Sequence, residues 1–313
     1  MPANLTPDYL AAEHDYKTAD TPAEKIAALE RMLATLPKHK GTEKMQADIR
    51  RRLSQTRKES QKKGAAHATP FYLVKKEGAG QVVLLGPPNA GKSQLVCALT
   101  HARPEVAEYP FTTRLPAPGM MLFENVQIQL VDPPPISAEF MEPWLGQVVR
   151  GATMGVLLVD PHDVAVLDQI EFILETLEKW RAAAPRLFVA NKMDIAGAAD
   201  NLAALEELYG QRFRWLGVSA LTGENLDHFA RAVFDALEIV RIYTKVPGKK
   251  ADLSSPFIVR RGGTVLDAAR LVHKDFAENL KFARLFHATG SHDGLMVERT
   301  HVVEDEDILE FHI

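Results

Sequence analysis

Gly86-Pro87-Pro88-Asn89-Ala90-Gly91-Lys92-Ser93 follows the apolar run Val82-Val83-Leu84-Leu85 and leads into Gln94-Leu95-Val96-Cys97-Ala98-Leu99. The order predicts strand, loop, helix. In such a loop the glycines allow tight turns, and backbone N–H groups at the helix start face a phosphate chain. Lys92 adds a point charge, and the Ser93 hydroxyl can ligate Mg²⁺. The eight residues from Gly86 to Ser93 therefore read as a Walker A phosphate loop.

A phosphate loop does not choose a base, so a second signal is needed downstream. Leu187-Phe188-Val189-Ala190 reads as a buried strand and ends in Asn191-Lys192-Met193-Asp194, the NKxD pattern. A carboxylate at Asp194 can accept two hydrogen bonds from guanine N1 and N2, whereas adenine offers the wrong edge. The expected ligand is GTP or GDP. Ser219-Ala220-Leu221 follows one helix and one strand later, where a backbone amide can reach the guanine oxygen.

At 313 residues, 46% hydrophobic and 25% charged, the chain is long enough for two cores and an accessory element. It contains no apolar run long enough to span a bilayer, and Met1-Pro2-Ala3-Asn4 lacks a signal pattern, so a cytoplasmic protein without membrane contact is expected. The single cysteine, Cys97, excludes an internal disulfide and reads as a small core residue. The 11 histidines show no zinc-ligand spacing.

The N-terminal region, 1–69, reads as a helical hairpin. Thr21-Pro22-Ala23-Glu24 supplies a cap, a first-turn proline and a capping-box glutamate. Ile26, Leu29, Met32 and Leu33 share one face of the first helix, and Met45, Ile49 and Leu53 one face of the second. Residues 38 to 63 hold ten Lys/Arg against three acids, +7 within a chain of net charge −4. That contrast points to a phosphate-backbone contact on structured RNA or a ribosome, set against an ordinary solvated face; nothing suggests readout of a DNA sequence.

From Gly78-Ala79-Gly80, which reads as a loosening of the chain, strand and helix signals alternate across a nucleotide domain placed at 70–243. Arg103 to Leu115 is aperiodic and holds Tyr109-Pro110-Phe111-Thr112-Thr113, a candidate switch loop. Met120 to Phe123 and Val126 to Val131 predict a hairpin turning at Glu124-Asn125 and delivering Asp132 on the Mg²⁺ side. A long helix between Val159 and Ala184 and another over Asn225 to Val240 complete a mainly parallel, doubly covered sheet, the Ras-like α/β pattern. Arg241 to Ser255 reads as a linker, bounded at 244–254. A β-grasp pattern follows over 255–313, with Thr264 capping a helix and Glu304-Asp305-Glu306-Asp307 forming a turn.

These residues resemble the Obg/DRG group of translation-factor-class GTPases, specifically bacterial DRG-like proteins with a C-terminal TGS domain, over nearly the whole length. Lys38-His39-Lys40-Gly41-Thr42-Glu43 is similar to the N-terminal helical signature, and Gly263 to Ala269 with His273-Lys274-Asp275 is similar to the TGS helix. In the switch segment the resemblance implies that Thr113 contacts Mg²⁺ together with Ser93, with Lys92 and Thr113 acting on the γ-phosphate and Asp132 behind the metal. It also implies GTP hydrolysis on or near the ribosome. Asn89 resembles an asparagine that helps bind K⁺ in related GTPases; otherwise it is a turn residue. The domain that eukaryotic and archaeal DRG proteins insert has no counterpart here, because no surplus length separates Asp160 from Asn191.

One departure bears on turnover. The group's Asp-x-x-Gly is replaced by Asp132-Pro133-Pro134-Pro135, and proline has no N–H. Ile136 follows where Ras-type proteins hold a water-orienting glutamine. Slow hydrolysis is expected, and the alternative is a nucleotide-locked binding module with negligible turnover.

Overall fold

The computed structural model describes residues 7–19, 22–36, 42, 45–56, 70, 72–100, 115–139, 141–287 and 293–313. They fall into two compact units, 1–70 and 71–313.

The first unit holds three helices, α1 (Pro7–Thr18), α2 (Pro22–Thr35) and α3 (residues 45–56). Tyr9 and Ala12 of α1, Leu29 and Met32 of α2, and Ile49 of α3 share one core. The expected hairpin therefore has a third member. Its apolar face is only Tyr9, Ala12 and Tyr16, too sparse to mark a helix by period. On α3, Asp48 pairs with Arg51 at 2.7 Å and Arg52 at 2.8 Å, so part of the basic excess is neutralised locally. Residues 38–41, 43–44 and 57–63 of that segment lie outside the described residues.

The second unit is built on β1 (Gln81–Leu85), in which every residue is buried. Val82 and Leu84 face one core with Leu95, Phe229 and Val233, while Val83 and Leu85 face another with Leu145, Ile170 and Phe188. Alternate residues of one strand thus hold helices on both sides. The first core receives α4 (Lys92–Thr100) and α8 (Leu226–Ala236). The second receives α5 (Leu145–Gly151), α6 (Val166–Lys179) and α7 (Ala198–Tyr209). On α6 the residues Val166, Ile170, Ile173 and Leu177 recur at helical spacing and are all buried.

The sheet runs β2-β3-β1-β4-β5-β6. Its members are β2 (Ala117–Phe123), β3 (Val126–Asp132), β4 (Met154–Val159), β5 (Leu187–Ala190) and β6 (Trp215–Gly217). All are parallel except the edge strand β2, which pairs antiparallel with β3 as the predicted hairpin. Gly78 to Gly80 is a pairing segment and not a loosened one, since Ala79 N–H donates to Gln127 O at 2.7 Å and Gly80 O accepts from Gln129 N–H at 2.9 Å.

A second sheet runs β10-β9-β11-β7-β8. It contains β7 (Ile239–Thr244), β8 (Phe257–Arg260), β9 (Phe282–His287), β10 (Asp293–Val297) and β11 (Asp307–His312). Helix α9 (Val265–Val272) lies over it behind a Thr264/Asp267 capping box, and α10 (Lys274–Asn279) follows. This is the expected β-grasp arrangement with one correction. Residues 239–244 were expected to close the nucleotide domain and begin a linker, yet β7 pairs with β8 and β11 inside this sheet. Val240 and Ile242 contribute to its core, so burial on one face outweighs the linker-like Pro247-Gly248 that follows.

Arg241 of β7 joins the two sheets. Its side chain is 4% exposed and reaches Asp305 at 2.7 Å and Glu306 at 3.1 Å in the acidic turn, and also Glu124 at the β2–β3 turn. Arg231 of α8 grips the same Glu124 at 2.8 Å, and Asn125 Nδ2 donates to the Tyr243 hydroxyl at 2.6 Å. Arg241→Met should lower stability by roughly 2–4 kcal/mol, below the full cost of breaking a buried pair because the three acids are partly hydrated. The urea midpoint should fall with an unchanged slope.

Candidate functional site

The phosphate loop leaves the C-terminal end of β1 and enters α4, with Asn89 at φ 59 and Gly91 at φ 90. A Cβ at Gly91 would lie 2.2 Å from Nδ2 of Asn191, so only glycine fits there. Lys92 is buried and lays its ammonium across the loop, donating to Pro87 O at 2.9 Å and Gly86 O at 3.1 Å. Ser93, in the first turn of α4, donates to Asp132 Oδ2 at 2.5 Å. Asp132 comes within reach because β3 runs parallel beside β1, Val83 opposite Val131. Burial raises the Asp132 carboxyl above its usual range, against the opposing pull of Ser93 and Lys92.

A pocket of about 540 Å³ opens here, lined by Asn89, Lys92, Ser93, Asp132 and Pro133 to Pro135. The wall after Asp132 is fixed from behind. Ile136 N–H donates to Gly86 O at 3.1 Å, and its side chain, 2% exposed, sits in the core with Val83 and Leu85. It therefore does not stand where a water-orienting side chain would. Gly86 O serves the lysine and this segment at once.

The other end of the site is organised by Asn191, which is 1% exposed. Its Nδ2 donates to Ala90 O at 2.9 Å and its Oδ1 accepts from Ala220 N–H at 3.0 Å. One amide thus ties the phosphate loop to the Ser219-Ala220-Leu221 loop. Asp194 is exposed and accepts from the buried Ser219 hydroxyl, which orients the carboxylate. Lys192, at φ 64, pairs with Asp160 at 2.6 Å. Burial alone would raise the Asp160 carboxyl, but Lys192 and the His162 N–H hold it below its ordinary value.

The predicted residues thus fall into two groups, Gly86 to Ser93 with Asp132, and Asn191 with Asp194, Ser219 and Ala220, joined through the Asn191 amide. Leu221 is exposed. Thr113, with the rest of the candidate switch loop, lies outside the described residues. Asp160 was not singled out from the sequence. Its signal is its place just after the buried strand β4, where parallel sheets collect their ligand loops.

Residues 81–192 match the family model described as 50S ribosome-binding GTPase, and residues 240–313 match the TGS domain. An uncharacterized GTP-binding protein of Methanocaldococcus jannaschii is 29% identical, covering 91% of each chain. Ribosome-interacting GTPase 1 of Saccharomyces cerevisiae is 24% identical, covering 92% of this chain and 98% of that one. Among solved structures, the YchF GTPase of Schizosaccharomyces pombe superposes with a TM-score of 0.54 at 11% identity, covering 77% of this chain and 99% of that one, a likeness of fold. The TGS match begins within β7, where the second sheet begins.

Asn191→Ala leaves a buried carbonyl at Ala90 and a buried N–H at Ala220 without partners. The loss should be roughly 2–4 kcal/mol of stability, at about 1–3 kcal/mol per unsatisfied group. GDP affinity measured by calorimetry should fall at least about tenfold, since the two loops lose their common brace.

Proposed function

We propose that this GTP-binding protein of the DRG type, a GTPase domain followed by a TGS domain, hydrolyses GTP slowly in the cytoplasm and that nucleotide state governs its association with the ribosome or a structured RNA. The observation that carries the guanine reading is the exposed Asp194 carboxylate held by Ser219 beside a loop braced to the phosphate loop through Asn191. A fixed carboxylate can accept from guanine N1 and N2 together.

The donors at the phosphate end suit Mg²⁺: a serine hydroxyl and a carboxylate 2.5 Å apart, both oxygen ligands for a hard cation. Ser93 would ligate it directly, with Asp132 behind and Thr113 from the switch loop. The bound ion would neutralise charge between the β- and γ-phosphates. Lys92 supplies the protein's own positive charge there, and the loop N–H groups orient the chain of phosphates.

Slow turnover follows from the wall after Asp132. Pro135 offers no N–H to the γ-phosphate, and Ile136 is committed to the core. The loss of one preorganised donor costs about 10²–10³ in rate, judged from oxyanion-hole donors. K⁺ beside Asn89, or a group supplied by a partner, could offset it. A second reading, a nucleotide-locked module with negligible turnover, is favoured by the same fixed wall. Ribosome association rests on relatives such as Ribosome-interacting GTPase 1 and on the basic segment that includes Arg50 to Arg52.

Asp194→Asn should cut GTP affinity sharply and partly restore binding with xanthosine triphosphate. Equal binding of ATP and GTP by the unaltered protein would refute the guanine assignment. Single-turnover hydrolysis should be slow in NaCl and faster in KCl or with ribosomes, with Pro135→Gly raising the rate and Asn89→Ala abolishing the K⁺ effect. No turnover in any condition, with GTP still bound, selects the locked module.

A further inference from the structure

A cleft of about 780 Å³ opens at the opposite end of the GTPase sheet from the nucleotide loops, and four cationic side chains, Lys76, Arg186, Arg260 and Arg261, line it. Ala79, Thr153 and Arg186, which also line it, precede β1, β4 and β5, whereas the nucleotide loops follow the other ends of β1, β3 and β5. Its second wall is the start of β7 and the end of β8, pinned by Arg261 N–H donating to Glu238 O at 2.7 Å. The cleft is therefore a seam of the GTPase and TGS domains, with cations from both.

Its charge is unbalanced. Among the described residues Glu238 is the one acid that lines it, and Arg186 holds that carboxylate at 2.8 Å while donating to Ala236 O at 2.7 Å. Lys76, Arg260 and Arg261 are exposed, and their side chains make no hydrogen bond or ion pair with the described residues. Three unpaired cations thus converge on one concavity in a chain of net charge −4. Leu237, Ile239, Ile258 and Val259 give the same cleft an apolar lining. Cations beside an apolar lining match a nucleic-acid backbone, the cations meeting phosphates and the apolar residues meeting sugars.

Resting on the ribosome reading above, we infer that this cleft is the seat of an RNA strand, held by phosphate contacts to Lys76, Arg260 and Arg261. Because the cleft and the nucleotide pocket occupy opposite ends of the sheet, RNA and GTP are held together and do not compete. The strand touches both domains, so its binding also fixes the seam between them.

The test uses the full chain, purified ribosomal RNA and, separately, intact ribosomes, with affinity followed across a salt series. The variant is Lys76→Gln/Arg260→Gln/Arg261→Gln. A control, Lys249→Gln/Lys250→Gln/Arg299→Gln, removes the same charge outside the cleft. Each phosphate contact contributes about 0.7–0.9 to the slope of log affinity against log salt, so the cleft variant should flatten the slope by about 2–3 and weaken RNA binding by about 10- to 100-fold near 0.1 M salt. GDP affinity should be unchanged in both variants, and the control should bind RNA normally. Equal RNA binding and slope in the cleft variant, or an equal loss in the control, overturns the cleft while leaving ribosome association standing. If the unaltered protein binds ribosomes but not naked RNA, and the variant loses ribosomes, the cleft takes an acidic protein segment and the RNA assignment falls. Failure of the unaltered protein to bind either would overturn the ribosome reading itself.

Discussion

Burial of β1 on both faces is the constraint from which the GTPase domain follows. Five consecutive buried residues require a neighbour on each edge and a helix layer on each side, and β3, β4, α4 and α6 meet those demands. Because β3, β4 and β5 run parallel to β1, their loops emerge at one end. Asp132, Asp160 and Asn191 are carried there by the same geometry that places the phosphate loop. The site is thus a by-product of sheet direction, refined by a few polar contacts.

Those contacts share one economy, in that single groups serve two elements each. Gly86 O takes both the Lys92 ammonium and the Ile136 N–H. The Asn191 amide takes Ala90 and Ala220, and Glu124 takes both Arg231 and Arg241. Where such a group is buried, as Asn191 is, its loss leaves two orphans, so it links separate stretches of chain more tightly than its own bonds suggest.

Much of this was legible in the sequence because it is local. The phosphate loop, the NKxD run, the β2–β3 hairpin and the Thr264 cap are short patterns in which neighbouring residues determine one another. What escaped is non-local. Residues 239–244 look like the tail of one domain until β8 and β11 supply their partners. Helix α1 has too few apolar residues to announce itself and is held by α2 and α3. Ile136 could be aligned with a catalytic position by counting from Asp132, but only packing against Val83 and Leu85 determines where its side chain goes. The bond from Lys192 to Asp160 joins residues 32 apart, on two different strand ends, and no motif encodes it.

The brace at Asn191 also bears on the order in which the molecule assembles. It joins residues 101 apart in sequence, and the loop whose Ala220 N–H donates to the same amide lies a further 29 along. A phosphate loop can turn as soon as β1 and α4 form, but it cannot be braced until β5 has docked in parallel register, a late event in a chain rich in long-range pairings. Until then the loop is present without its support. A guanine nucleotide that prefers the braced arrangement draws the folding equilibrium toward it by mass action, so the ligand acts as a chaperone for its own binding site.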